Sequence, residues 1–150
     1  MGRKLLVILT GLFFLLPICI PAQTAAELDT ILQASAVTNA QAAKFVLASV
    51  EDAATMSTGN AFQRAVSNGW LKDSAKPDEN ITLGKLSYLI MKAFNMKGGM
   101  MYSIIPGPRY AYRNMVSRNY IQGASDPSMN VSGQRFLLIL GKVTNAEGGE

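Results

Sequence analysis

The chain contains no histidine, and its one cysteine, Cys19, falls within the first twenty residues. Those shortages remove the commonest general base, the thiol nucleophile and most metal-ligand sets. A disulfide framework is excluded, and so is a cysteine-based zinc site. The paired carboxylates, Glu51-Asp52 and Asp78-Glu79, are sequence neighbours in connector or turn positions. A two-carboxylate glycosidase needs its pair on separate elements facing one cleft. Gly98-Gly99 follows a helical pattern instead of preceding one, so it is not a nucleotide-binding glycine loop. These gaps predict a chain that is not an enzyme and takes no cofactor or metal.

Long hydrophobic runs are also scarce, with one exception at the start. Gly2-Arg3-Lys4 is basic, Leu5 to Ile20 is almost wholly apolar, and Pro21-Ala22-Gln23 offers a small residue for cleavage. This is the layout of a secretory signal peptide over residues 1–22, too short and too soon broken by proline for a membrane anchor. Cleavage after Ala22 leaves 128 of the 150 residues. The expected product is exported, to the periplasm or cell envelope, and does not span a membrane. Leu16-Pro17-Ile18-Cys19 keeps a second route open. Lipidation at Cys19 gives an anchored protein instead of a soluble one. Removal of Arg3 and Lys4 leaves twelve basic against ten acidic residues. A net charge of +2 with scattered basic residues does not predict nucleic acid as a partner.

What the chain does have is a recurring pattern. Asn80-Ile81-Thr82 leads into Leu86, Leu89, Ile90, Ala93 and Phe94, which share one face of a helix. Fifty residues on, Asn130-Val131-Ser132 leads into Phe136, Ile139 and Leu140. A hydroxyl residue just ahead of a 3.6-residue apolar period is a helix N-cap. The agreement runs without a gap from Ala61/Ala111 to Ala93/Val143, with six identities in 33 pairs. Within it, Trp70 matches Tyr120, Leu71 matches Ile121 and Pro77 matches Pro127. Val37-Thr38, ahead of Ala42, Phe45 and Val46, gives a third, abbreviated member. Gly69 stands where a left-handed helix end suits glycine. Met100 to Ile105 reads as extended, Pro106-Gly107-Pro108 as a turn, and Thr144 to Glu150 as a frayed tail.

Helix, Gly-plus-apolar turn, Pro/Asp loop, Ile-Thr cap and second helix, repeated after a signal peptide, resembles the S-layer homology domain. The resemblance implies an all-α fold of helix-loop-helix repeats packed as a small pseudo-symmetric bundle. It divides the chain into residues 23–60 (abbreviated first repeat and connector), 61–97 (second), 98–110 (linker), 111–143 (third) and 144–150 (tail). Members of that family hold exported proteins on cell-wall polymers. The implied partner is thus a cell-wall glycan, peptidoglycan or wall polysaccharide. The alternative is a protein partner in the envelope, with this chain as a periplasmic structural subunit. The family's cap commonly reads Ile-Thr-Arg-Ala-Glu. Here the arginine position holds Asn39, Leu83 or Gly133, and the glutamate position Gln41, Lys85 or Arg135.

The expected ligand-binding residues are therefore Lys85 and Arg135, with Trp70 and Tyr120 nearby. Long cationic side chains also lie over apolar surface, and Trp70 and Tyr120 also suit anchoring of the turns to the core. Tyr102, Tyr110 and Tyr112 around the proline turn are expected to be exposed. The expected helix caps are Thr38, Thr82 and Ser132, and their role explains why Asn80 and Asn130 both head glycosylation-like triplets. Oligomeric state does not follow from the sequence.

Overall fold

The computed structural model describes residues 20–51 and 53–147. Among them are seven α-helices and no regular strand. They are α1 (Ile20–Gln33), α2 (Asn39–Val50), α3 (Thr58–Ser67), α4 (Leu83–Ala93), α5 (Met100–Ile104), α6 (Pro108–Ser117) and α7 (Gly133–Glu147). The class is all-α, as expected. Cys19 and most of the expected signal peptide lie outside the described residues, and α1 runs through the expected cleavage point after Ala22. No helix among the described residues is long and apolar enough to cross a membrane.

Three aliphatic residues ahead of helices hold the fold at its centre. Val37, Ile81 and Val131 are completely buried, and a buried backbone group must find a partner. With no sheet to join, they pair with one another. Val37 N–H donates to the Val131 carbonyl at 2.8 Å, Ile81 N–H to Val37 at 2.8 Å, and Val131 N–H to Ile81 at 3.3 Å. The ring is closed. It brings together segments almost a hundred residues apart in the chain.

The helices that start from this ring, α2, α4 and α7, find acceptors for their first N–H groups in a similar way. A helix leaves its first four N–H groups without partners inside its own first turn. The first N–H of α2, Asn39, donates to Glu79 O, and that of α4, Leu83, to Met129 O, both at 2.9 Å. In α7 the donor is Gly133 and the acceptor Ala34 O, again at 2.9 Å. The second N–H of α2 and of α4, Ala40 and Gly84, reaches Pro77 O at 3.0 Å and Pro127 O at 2.8 Å. The third goes to the cap hydroxyl: Gln41 to Thr38 at 3.2 Å, Lys85 to Thr82 and Arg135 to Ser132 at 3.4 Å. Thr38 completes a capping box, its own N–H donating to the Gln41 side chain at 3.0 Å. Thr38, Thr82 and Ser132 thus all cap helices.

Local structure also recurs at the offset of fifty. Trp70 and Leu71 N–H both donate to Ala65 O, closing the end of α3; Tyr120 and Ile121 N–H do the same to Met115 O after α6. The left-handed residue at this turn is Gly69 (φ 70°) in one place and Asn119 (φ 61°) in the other. Asparagine is the side chain that best tolerates that conformation.

Helix packing departs from the expected helix-loop-helix units. α3 and α4, the two helices of the second expected repeat, are not each other's principal partners. Instead α2 packs on α3, α4 on α6, and α7 on the N-terminal α1. α2 takes the next helix along the chain, α4 takes the next but one, past the short α5, and the last takes the first. The main core joins all three pairs through Val46, Ile90, Met115, Phe136 and Ile31, with the Phe45 and Phe136 rings edge-to-face at 6.1 Å.

Two other expectations are corrected. Met100–Ile104 is a helix, because Tyr102 turns inward as a buried residue against Gly98 and the Tyr88 ring. The polar tail starts later than Thr144: α7 continues to Glu147, whose carboxylate is held by Arg118 at 3.1 Å and Tyr120 at 2.9 Å.

The junction of α7 with α1 makes a sharp prediction. A Cβ on Gly133 would fall 1.5 Å from the Ile31 carbonyl oxygen, whereas one on Gly141 meets nothing within 4 Å. Gly133→Ala is expected to lower stability by about 3 kcal/mol. Gly141→Ala, in the exposed interior of the same helix, should raise it by about 0.5–1 kcal/mol. Urea midpoints of the two variants check both.

Candidate functional site

The loop from Trp70 to Glu79 and the first turns of α4 enclose a cavity of about 400 Å³. Trp70, Leu71, Lys72, Ser74, Ala75 and Glu79 line it from the loop, Thr82, Lys85 and Tyr88 from the cap and helix, and Pro108 from α6. Thr82, Lys85 and Tyr88 are three residues apart in turn, so their side chains stack along one helix face. Trp70 is half-buried and packs against both hydrophobic clusters, with part of its surface left on the cavity.

Two further cavities share these walls. One of about 540 Å³ shares Thr82 and Pro108 and adds Gly84, Arg109, Tyr112, Arg113 and the Asp126-Pro127-Ser128 turn. Another of about 540 Å³ shares Leu71, Lys72, Ser74, Tyr88 and Pro108 and extends to Gly69 and Pro106. Together they make an elongated groove that passes over Pro108. Gly84 keeps it narrow, since a Cβ there would be 3.0 Å from the Pro127 carbonyl oxygen.

The charges in the groove are unevenly satisfied. Lys85 Nζ binds Glu79 Oε1 at 3.0 Å. That hydrogen bond, with the ammonium charge behind it, holds the Glu79 carboxyl below its ordinary value of 4.5. Asp126 accepts from the Ser128 hydroxyl and backbone N–H, which hold its carboxyl down as well. Arg109 and Arg113, one turn apart on α6 and exposed, have no ion-pair partner among the described residues. Tyr112 donates to or accepts from Ser125 Oγ at 2.6 Å, which fixes its ring on the groove wall.

Of the four residues expected to form a binding surface, the structure brings Trp70 and Lys85 together and leaves the other two elsewhere. Arg135 does not line the groove; its guanidinium donates to Gln122 O at 3.1 Å. Tyr120 is half-buried, and its hydroxyl donates to Glu147. Burial first and the Glu147 carboxylate second push that phenol above its ordinary value. Near the first cap the corresponding hollow is only about 110 Å³, and Lys44 and Glu27 on its wall pair at 2.6 Å. Among the tyrosines expected to be exposed, Tyr102 is buried and Tyr110 and Tyr112 are half-buried. Reasoning from sequence missed Tyr88. Its signal was there, one turn beyond Lys85 on the cap's own face.

No family model, curated protein or solved structure matches this chain.

The Lys85–Glu79 pair gives a pH test with a definite sign. A carboxyl held below its ordinary value stabilises the fold above that value, and the contribution disappears as pH falls through the folded midpoint. The pair is exposed to solvent, so the effect on stability is small. The carboxyl midpoint itself is the clearer readout. In Lys85→Met, the Glu79 side-chain NMR titration should move up toward 4.5. An unchanged midpoint would show that the pair does not form.

Proposed function

We propose that the chain is a non-catalytic, exported module of the cell envelope that binds a cell-wall glycan along the groove over Pro108. The elongated shape of that groove carries the reading. An extended polymer fits three cavities with shared walls better than it fits one closed pocket. Trp70 and Tyr88 offer ring faces on which the apolar C–H face of a sugar can rest. Lys72, Ser74, Glu79 and Thr82 offer donors and acceptors for its hydroxyls. Arg109 and Arg113 stand free to take acidic substituents. The closed ring of three caps supports the resemblance to S-layer homology repeats, arranged about a pseudo-threefold axis. A hydrolase of the two-carboxylate kind would need a facing pair in the groove; Glu79 is engaged with Lys85 and Asp126 with Ser128, which leaves Asp73, exposed on the loop after α3.

A second reading has its own observation. Asn39, Leu83 and Gly133 occupy the positions at which the resemblance expects a ligand-binding arginine, and all three are buried. On this reading the repeats have become a scaffold for a protein partner in the periplasm.

Pull-down on purified peptidoglycan sacculi separates the two. Tyr88→Ala and the pair Arg109→Ala with Arg113→Ala should each cut retention by roughly tenfold. Arg135→Ala should change nothing. Trp70 is the sole tryptophan, so soluble wall fragments should alter its fluorescence. Complete loss of retention in the native chain would discard the glycan reading in favour of the protein partner. Intact mass of the protein from its host should match a chain beginning at Gln23. A lipid adduct on Cys19 would make it membrane-anchored instead.

A further inference from the structure

The most exposed apolar surface lies on α5 and the residue after it. Met100 is 78% exposed, Met101 47%, Ile104 67% and Ile105 56%. These are adjacent large aliphatic side chains on one short turn, not single surface residues of the ordinary kind. The turn is firmly held. Tyr102 reaches inward to the Tyr88 ring, with centroids 6.4 Å apart. Gly99 N–H donates to Asn114 Oδ1 at 2.8 Å. A Cβ on Gly98 would fall 2.3 Å from the Tyr102 ring, so only glycine lets that ring close over the backbone.

The stretch of chain that carries this turn has charge of one sign. From Asn80 to Ser125 the sequence has no acidic residue, while it has Lys85, Lys92, Lys97, Arg109, Arg113 and Arg118. Glu79 takes Lys85 and Glu147 takes Arg118. Lys92 and Lys97 have no ion-pair partner among the described residues. Both lie beside α5. Lys92 Nζ sits 5.6 Å from the centroid of the Tyr88 ring that Tyr102 touches, and Lys97 is three residues ahead of Met100. Arg118 donates to the Lys97 carbonyl and ties that segment to α6.

An exposed aliphatic cluster flanked by the unpaired cations Lys92 and Lys97 complements one surface in particular, the headgroup layer of an anionic bilayer. We propose that α5 docks the protein on such a surface. Met100, Met101, Ile104 and Ile105 enter the boundary between headgroups and acyl chains, and Lys92 and Lys97 meet the lipid phosphates. The contact is interfacial; nothing in it crosses the bilayer. It adjoins the glycan groove at Tyr88, and the exposed side chains it uses are not among those that line the groove.

The apolar stretch from Leu5 to Ile20 can itself bind lipid, so the readout must be local to α5. The full chain with Cys19→Ser and Ile104→Cys carries one thiol for an environment-sensitive dye. Vesicles of phosphatidylglycerol and phosphatidylcholine should shift the dye emission to the blue, and vesicles of phosphatidylcholine alone should not. A dye on exposed Gln63→Cys, on α3, should remain water-like with both. Lys92→Gln with Lys97→Gln should weaken the response roughly tenfold or more. High salt should weaken it too. The proposal is overturned by a dye at position 104 that stays water-like on vesicle-bound protein, or by an equal response on neutral vesicles. A blue shift that grows with protein concentration without lipid would also overturn it, assigning the face to a second copy of the chain.

Discussion

A buried peptide group without a partner costs about as much as a lost hydrogen bond, and this molecule is arranged around meeting that constraint at three points. Val37, Ile81 and Val131 lie at the centre because their side chains are aliphatic, and being there isolates their backbones from water. Their mutual ring of hydrogen bonds satisfies those groups without a sheet. It also fixes where α2, α4 and α7 start. Each helix then takes its first amide partners from an adjoining segment and its third from its own cap hydroxyl. The carbonyls of Pro77 and Pro127 are as much a part of this arrangement as Thr38 and Thr82.

The same constraint decides where a ligand can bind. An unoccupied helix N-terminus is a ready anion site, since its free N–H groups and dipole both favour negative charge. At α2 and α4 the first three N–H groups are already engaged by protein atoms, so that surface is closed. Binding capacity is left to side chains on the flanks of the helices and to the loops between them. The groove over Pro108 is such a place: α6 begins there, and the loop after α3 and the first turns of α4 line it.

The capping chemistry was legible because it is local. A hydroxyl before a helical period states its role within four residues, and Thr38, Thr82 and Ser132 all do so. The fifty-residue offset was legible as well, and it extends to individual hydrogen bonds at Trp70/Tyr120 and Leu71/Ile121. Partnership was not legible. Periodicity shows which face of a helix is apolar and does not say what covers it, so the pairing of α4 with α6 and of α7 with α1 lay beyond it. The same limit explains Lys85, whose partner Glu79 lies across the cap, and Arg135, which turns to a loop carbonyl. It explains Tyr102 too. An aromatic residue between two glycines and a proline turn looks exposed until the ring that receives it, Tyr88, is known.

The closure of α7 on α1 bears on the order of events in time. A linear stack of repeats can grow from one end, each new unit settling on the last. Here the ring is incomplete until Val131 exists, and α1 lacks its principal packing partner until α7 has formed. Contacts that span so much of the chain carry a large loop-closure cost and slow folding. During synthesis the early segments must therefore wait with Ile31 exposed for residues that emerge last. Folding becomes a single late event, and a chain interrupted before residue 131 would present its apolar faces to any chaperone in reach.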